Sequence, residues 1–374
     1  MCAAGAASDR PGTHYDRPVR VLVTGGAGFV GANVAVSIAR RHADWTIVAF
    51  DNLRRAGSEL SPARLRREGV TFVHGDVREP ADLEAVGEID ALVECSAEAS
   101  VLAGLGDEGL DYLVRTNLIG AYNCLALARR HDAALVFLST SRVYPVRSLS
   151  AIALDETDSR FEIASTQATA GIGPDGIAEA FPLDGARTPY GATKLAAELL
   201  IAEYVDAFGL RAVVNRCGVI AGPWQLGKVD QGVFTYWLLA HYFRRPLLYI
   251  GFGGSGKQVR DLMHVDDLTD LIDDQLTRPD HWAGATLNVG GGRDSSLSLR
   301  EATELCAELT GNRVQVTSSA SERPGDIPLY ISDCRRLFDR TSWRPRKGPE
   351  EILQDTLDWT RANEDALGQA LGFA

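Results

Sequence analysis

The chain has no Cys-x-x-Cys pair, no apolar run long enough to cross a bilayer, no strongly basic footprint, and no internal repeat or low-complexity tract. Each absence removes a class of function. The six cysteines (Cys2, Cys95, Cys124, Cys217, Cys306, Cys334) are scattered, which suits neither a thiolate metal site nor a disulfide framework. No metal is therefore expected, and a reducing cytoplasm is the expected compartment. The longest apolar stretch, Val233 to Phe243, is too short to span a membrane and reads as a packed helix. A net charge of −12 speaks against a nucleic-acid partner, and its spread along the chain reads as solubility. The first eighteen residues are rich in Ala, Gly and Asp and lack the apolar core of a signal peptide, so residues 1–18 read as a mobile tail.

What is present is the composition of an ordinary globular protein: 374 residues, 45% hydrophobic and 24% charged, enough for two lobes around a large core. Val19 to Val23 is a β-branched run ending in the glycine loop Gly25-Gly-Ala-Gly28-Phe-Val-Gly31, and an Ala-rich helical pattern follows. Thr46 to Phe50, Val70 to His74, Ala91 to Cys95 and Ala134 to Leu138 are further buried-strand candidates. Helical patterns separate them, the longest running from about Asp107 to Arg130. This alternation predicts an α/β fold with a doubly wound parallel sheet of the Rossmann type. Pro145 to Arg187 breaks the rhythm and reads as a long functional cover or a disordered loop. The expected division is an NAD-binding domain over 19–216 that returns near 258–289. A smaller, sequence-interleaved α/β substrate lobe is expected over 217–257 and 290–374.

Gly25, Gly28 and Gly31 follow a strand and open a helix, so the backbone, including that of Phe29 and Val30, approaches a pyrophosphate at a helix N-terminus. Asp51 ends the second strand, where a carboxylate accepts from ribose hydroxyls and repels a 2′-phosphate, which favours NAD over NADP. Arg54 and Arg55 weaken that preference, because an arginine there also suits a phosphate. Asp76 and Val77 are expected beside the adenine. Downstream, Tyr190-Gly-Ala-Thr-Lys194 puts a phenol and an ammonium one helical turn apart. A nearby cation favours the phenolate, which suits a base that removes a hydroxyl proton as hydride leaves. Alone, that spacing is weak; the glycine loop upstream gives it weight.

The pattern resembles the extended short-chain dehydrogenase/reductase (NAD-dependent epimerase/dehydratase) family from Val19 onward. The residues that carry the resemblance are Thr24 to Gly31, Asp76-Val77, Asn117, Ser139-Thr140-Ser141, Tyr190 to Lys194 and Arg260 to Asp266. Ser139 to Pro145, Gly176 to Glu179, Arg216 to Gln225, Lys228 to Gly232 and Gly256 to Asp261 are most similar to the CDP-paratose/CDP-tyvelose 2-epimerase group. The resemblance implies Thr140, Tyr190 and Lys194 as catalytic residues, with Lys194 also binding the nicotinamide ribose and lowering the Tyr190 pKa. It implies NAD contacts from Asn52, Arg55, Ser96, Ala97, Asn117 and Ser139 beside the residues above, with Asn117 lining the cofactor cleft. Glu98, Ser141, Arg142, Gln225, Lys228, Gln231, Arg260 and Arg323 are the implied substrate contacts, the last two arginines on a diphosphate. His264 is implied to anchor a helix start, and the Asp107 to Arg130 and Tyr190 helices to pair in a homodimer.

Departures matter too. The family's sugar 4,6-dehydratases carry acids directly after the catalytic threonine, where this chain has Ser141 and Arg142. Val219 stands where many relatives have Asn, and Ala99 where a proline is common. The expectation is an NAD-dependent nucleotide-sugar epimerase, with C2 as the inverted carbon. A dehydratase or dehydrogenase on a nucleoside or nucleotide sugar stays open, with Glu98 and Glu179 as alternative bases. A non-catalytic NAD-binding scaffold is the remote alternative.

Overall fold

The computed structural model describes residues 18–105, 109–227 and 231–371. The strands used below are β1 (Arg20–Thr24), β2 (Thr46–Asp51), β3 (Thr71–His74), β4 (Ala91–Glu94), β5 (Ala134–Thr140), β6 (Ala212–Cys217), β7 (Val219–Ala221), β8 (Val259–His264), β9 (Ala285–Val289), β10 (Ser296–Ser298) and β11 (Leu329–Tyr330). The helices are α1 (Phe29–Arg41), α2 (Leu110–Val114), α3 (Gly120–Arg130), α4 (Pro189–Phe208), α5 (Val233–Tyr242), α6 (Val265–Thr277), α7 (Leu299–Thr310) and α8 (Pro349–Ala362).

Strands rich in Val and Leu pack best with both faces covered, and the central sheet is built that way. It has seven strands in the order β9-β6-β5-β4-β1-β2-β3, every pair parallel. Val21, Leu22 and Val23 of β1 are fully buried. One face is closed by α1 and α6 through Val34, Ile38, Leu268 and Ile272. The other is closed by α3 and α4 through Cys124, Leu125, Ala197 and Ile201. The strand order reverses between β1 and β4, which leaves a crevice beyond their carboxyl ends. A second core, with Phe234 of α5, Cys306 of α7 and Leu353 of α8, makes the smaller lobe. Its sheet runs β7-β8-β10, with β11 also on β8.

Four expectations change. β8 does not return to the central sheet but pairs with β7, β10 and β11, while its Met263 still packs into the large core beside α6 and β9. β3 is not buried on both faces, because it is the edge strand and exposes Thr71 and His74. The helix expected from Asp107 starts, among the described residues, at Leu110, and it widens into a π-helical turn, Arg115–Ile119, before α3. The Pro145 to Arg187 segment is no loose cover. It forms antiparallel hairpins, Leu154–Glu156 with Phe161–Ile163 and Ile172–Gly173 with Gly176–Ile177. Backbone bonds from Phe161 to Lys257 (3.0 Å) and from Ile177 to Ile331 (2.8 Å) tie it to the smaller lobe.

Candidate active site

β1 delivers the chain into a left-handed turn at Gly25, φ +62°, a conformation that glycine adopts without strain. Gly31, in the first turn of α1, lies so close to that turn that a Cβ on it would stand 2.2 Å from the Gly25 carbonyl oxygen. No side chain caps the start of α1, which leaves its first N–H groups to an external acceptor. The Asp51 carboxylate accepts from the N–H of Ala27 (3.1 Å) and of Leu53 (2.7 Å). Burial raises its pKa, against those bonds. This tight loop with an uncapped helix end fits a dinucleotide pyrophosphate.

A cleft of about 700 Å³ runs from this loop across the carboxyl ends of the strands to the smaller lobe. Of the residues expected to hold the cofactor, Gly25, Gly28, Phe29, Val30, Gly31, Asp51, Asn52, Arg55, Val77, Ser96, Ala97, Ser139, Tyr190 and Lys194 line it. Asp76 does not. It borders an adjoining recess, where its half-buried carboxyl bonds Arg78 (2.6 Å) and Asn52 (2.9 Å). Burial opposes ionisation there, but those partners win and hold its pKa at about 2. Asn117 does not line the cleft either. From the π-helical turn its amide accepts from the Glu98 N–H (2.8 Å) and donates to the Glu98 carbonyl (3.0 Å), latching the loop after β4 from behind. Arg54 stacks on Tyr112, 4.0 Å from the ring centre.

At the middle of the cleft stand the residues expected to be catalytic. Thr188 caps α4 and Pro189 opens it, which places Tyr190 and Lys194 on one buried face. Thr140, the last residue of β5, reaches the Tyr190 hydroxyl and accepts from the Arg142 N–H at 3.2 Å. Burial raises the Tyr190 pKa above the ordinary phenol value; Lys194, Thr140 and Arg142 pull it down without overcoming that. Lys194 thus acts in the expected direction, but desolvating a phenolate outweighs one neighbouring ammonium, and the net shift is upward. Moreover, Lys194 is already paired. Its Nζ lies 3.2 Å from Glu94 Oε2, both side chains being almost wholly buried.

The far end carries arginines. Arg142 donates to the Gly325 carbonyl (3.0 Å), and burial lowers its pKa. Arg260 donates to Asp326 (2.9 Å) and to the Ile327 carbonyl (2.7 Å), and burial lowers its pKa to about 10. Both face the cleft with Arg323, Glu98, Ser141 and Gln225. Gln231 lines it as well, but its side chain accepts from Arg55, so an expected cofactor contact and an expected substrate contact bond each other. Lys228 lies outside the described residues. Glu179 does not reach the cleft; its carboxylate accepts from the Asn288 N–H at 2.7 Å. His264 caps α6 by accepting from the Asp266 N–H at 3.0 Å.

Sequence reasoning missed Glu94, Trp224 and Asp326. The signal for Glu94 was a carboxylate ending an otherwise apolar strand, Ala91-Leu-Val-Glu94. Trp224, at φ +72° in the cleft wall, gave no local sign of that backbone.

A doubly wound sheet, a glycine loop opening α1, and a Tyr-x-x-x-Lys helix facing a cleft define a nicotinamide-dependent dehydrogenase-like enzyme. The chain belongs to the NAD dependent epimerase/dehydratase family, whose sequence profile matches residues 21–290. It is 33% identical over 353 residues to a dTDP-glucose 4,6-dehydratase of Mycobacterium tuberculosis, covering 92% of this chain and 94% of the relative. It is 27% identical over 353 residues to a CDP-paratose 2-epimerase of Salmonella typhi, covering 91% and 99%. Among solved structures, the UDP-glucose 4-epimerase of Thermus thermophilus in complex with NAD superimposes with a TM-score of 0.74 at 26% identity, covering 92% and 99%. A double mutant of the dTDP-glucose 4,6-dehydratase of Streptomyces venezuelae, with NAD and DAU bound, gives 0.75 at 26%, covering 94% and 100%.

Proposed function

We propose that the protein is an NAD-dependent nucleotide-sugar epimerase that oxidises a ring hydroxyl to a ketone, turns the sugar, and reduces it from the opposite face, with C2 as the carbon inverted. NAD in the glycine-loop half of the cleft supplies reversible hydride transfer, so turnover leaves no net redox change. Tyr190 takes the hydroxyl proton and returns it, Thr140 holds the reacting oxygen, and Lys194 orients the nicotinamide ribose. Arg260 and Arg323 anchor the diphosphate while the sugar turns, and Glu98, Ser141, Arg142 and Gln225 contact the sugar and nucleotide.

The observation that carries the reading is the position after Thr140. Ser141 and Arg142 line the cleft where expulsion of a hydroxyl would need an acid. A second reading, water elimination after the same oxidation, is supported by Glu98, which also lines the cleft, and by the likeness to dehydratases. Incubation with CDP-, GDP-, UDP- and dTDP-sugars in deuterated water separates the two. An isomer of unchanged mass without deuterium at the inverted carbon supports the epimerase; a product lighter by one water overturns it in favour of the dehydratase.

A homodimer goes with this reading. Tyr122 of α3 and Leu199 and Phe208 of α4 are exposed apolar side chains on neighbouring helices, with Leu110 and Ile119 just before them. A second copy covers that face. Sedimentation at monomer mass across micromolar concentrations would contradict it.

A further inference from the structure

We propose that Glu94 is a positioning residue of this site: it holds the Lys194 ammonium beneath the cleft and takes up charge that Lys194 would otherwise lend to Tyr190. The inference rests on Tyr190 being the proton acceptor. Glu94 ends β4, a hundred residues before Lys194 in the chain, and is 1% exposed. One carboxylate oxygen accepts from the Ser96 hydroxyl and the other lies 3.2 Å from the Lys194 ammonium. Taking both charges out of water is costly, and an isolated buried carboxylate would be costlier still. Nothing in the sheet needs an acid here, since Leu92 and Val93 before it are fully buried and apolar.

The charged and titratable groups around the pair define its reach. Tyr190 is faced by Lys194 on its own helix, Thr140 at the end of β5, Arg142 in the turn after it, and Cys217 at the end of β6. Lys194 is faced by Glu94, Tyr190, Cys95, Cys124 and Cys217, and its Nζ lies 4.4 Å from the Phe137 ring centre. Among these, Lys194 is the group that interacts with both Glu94 and Tyr190. An ammonium bound to a carboxylate presents Tyr190 with a dipole instead of a full charge. The pair therefore weakens the phenolate and fixes the ammonium's place. Burial of Tyr190 acts in the same direction.

The ionisation readout needs no substrate, so it stands apart from the identity of the reaction; turnover is read only to check the role of Tyr190. The NAD-loaded enzyme is titrated by phenolate absorbance, with the matching Tyr190→Phe variant subtracted to isolate one tyrosine. Glu94→Gln is expected to let Tyr190 ionise about one pH unit lower, the scale of a freed neighbouring charge. In a Lys194→Met background the same change is expected to have no effect. Glu94→Asp, which keeps the charge but draws it back from the ammonium, is expected to shift ionisation the same way by less. It also serves if the glutamine variant does not fold. An unchanged titration in Glu94→Gln or Glu94→Asp overturns the proposal. A shift of equal size with and without Lys194 overturns the route through the lysine. If the shift occurs but Tyr190→Phe keeps full turnover, the proton-acceptor reading of Tyr190 fails instead.

Discussion

Gly31→Ala is the sharpest perturbation of the cofactor site. In a helix, alanine is intrinsically better than glycine by about 1 kcal/mol, so propensity alone forecasts a stabilised protein. The contacts say otherwise. The new Cβ would stand 2.2 Å from the Gly25 carbonyl oxygen, 2.8 Å from its carbonyl carbon and 3.0 Å from Gly26 Cα. The first is more than about 1 Å inside ordinary van der Waals distance, and every neighbour is backbone, so none swings away. The loop must open by a comparable amount, at an overpacking cost of about 1–3 kcal/mol. Its N–H groups then miss the pyrophosphate. Losing two charge-assisted bonds at about 1.5 kcal/mol each removes about 3 kcal/mol of binding, on the order of a hundredfold in Kd for NAD. Calorimetric titration measures this directly, and Gly348→Ala, which meets nothing within 4 Å, is the matched control. Wild-type NAD affinity in Gly31→Ala would refute the reasoning, since the loop would then hold the pyrophosphate without a close approach.

Tyr190→Phe is expected to lower kcat by about 10²–10⁴, the usual worth of a positioned acid–base group, with little change in NAD affinity by titration. Because burial raises the Tyr190 pKa, the phenolate forms only as pH rises, so kcat/KM for substrate oxidation should climb on the alkaline side and flatten in the phenylalanine variant's residual rate. Arg216→Met removes one partner of the buried pair with Glu198 (2.7 Å) and should cost about 3–5 kcal/mol in chemical denaturation, most of it recovered when Glu198→Leu is added. Asp261 is wholly buried, and its pKa is raised from 3.8 to about 6. Between those values the folded state binds more protons than the unfolded one, so its contribution to stability falls as pH rises through that window. Asp261→Asn should abolish that slope in Tm measured across the window.

The large lobe was legible because its signals are local. A β-branched run, a glycine turn and a helical pattern are set by adjacent residues, and Val19 to Arg41 contains all three. Asp51 closing β2, and Tyr190 one turn from Lys194, follow from chain spacing for the same reason. Less legible were the Pro145 to Arg187 segment, whose short hairpins carry little periodicity, and β8, whose mixed Val259-Arg-Asp-Leu-Met-His264 sequence does not say which sheet it joins.

The sequence by itself determined the class of fold, the glycine loop that opens α1 and the placing of Tyr190 and Lys194 on one helix face. Tertiary structure alone decided what those residues face. Glu94 meets Lys194 across a hundred positions, Asn117 latches Glu98 instead of lining the cleft, and Arg55 bonds Gln231 from 176 residues away. Spacing along a strand or helix fixes which face a side chain takes. Its partner and its loss of water depend on elements brought together from elsewhere in the chain, and those set the Tyr190 pKa, with burial outweighing its neighbouring ammonium.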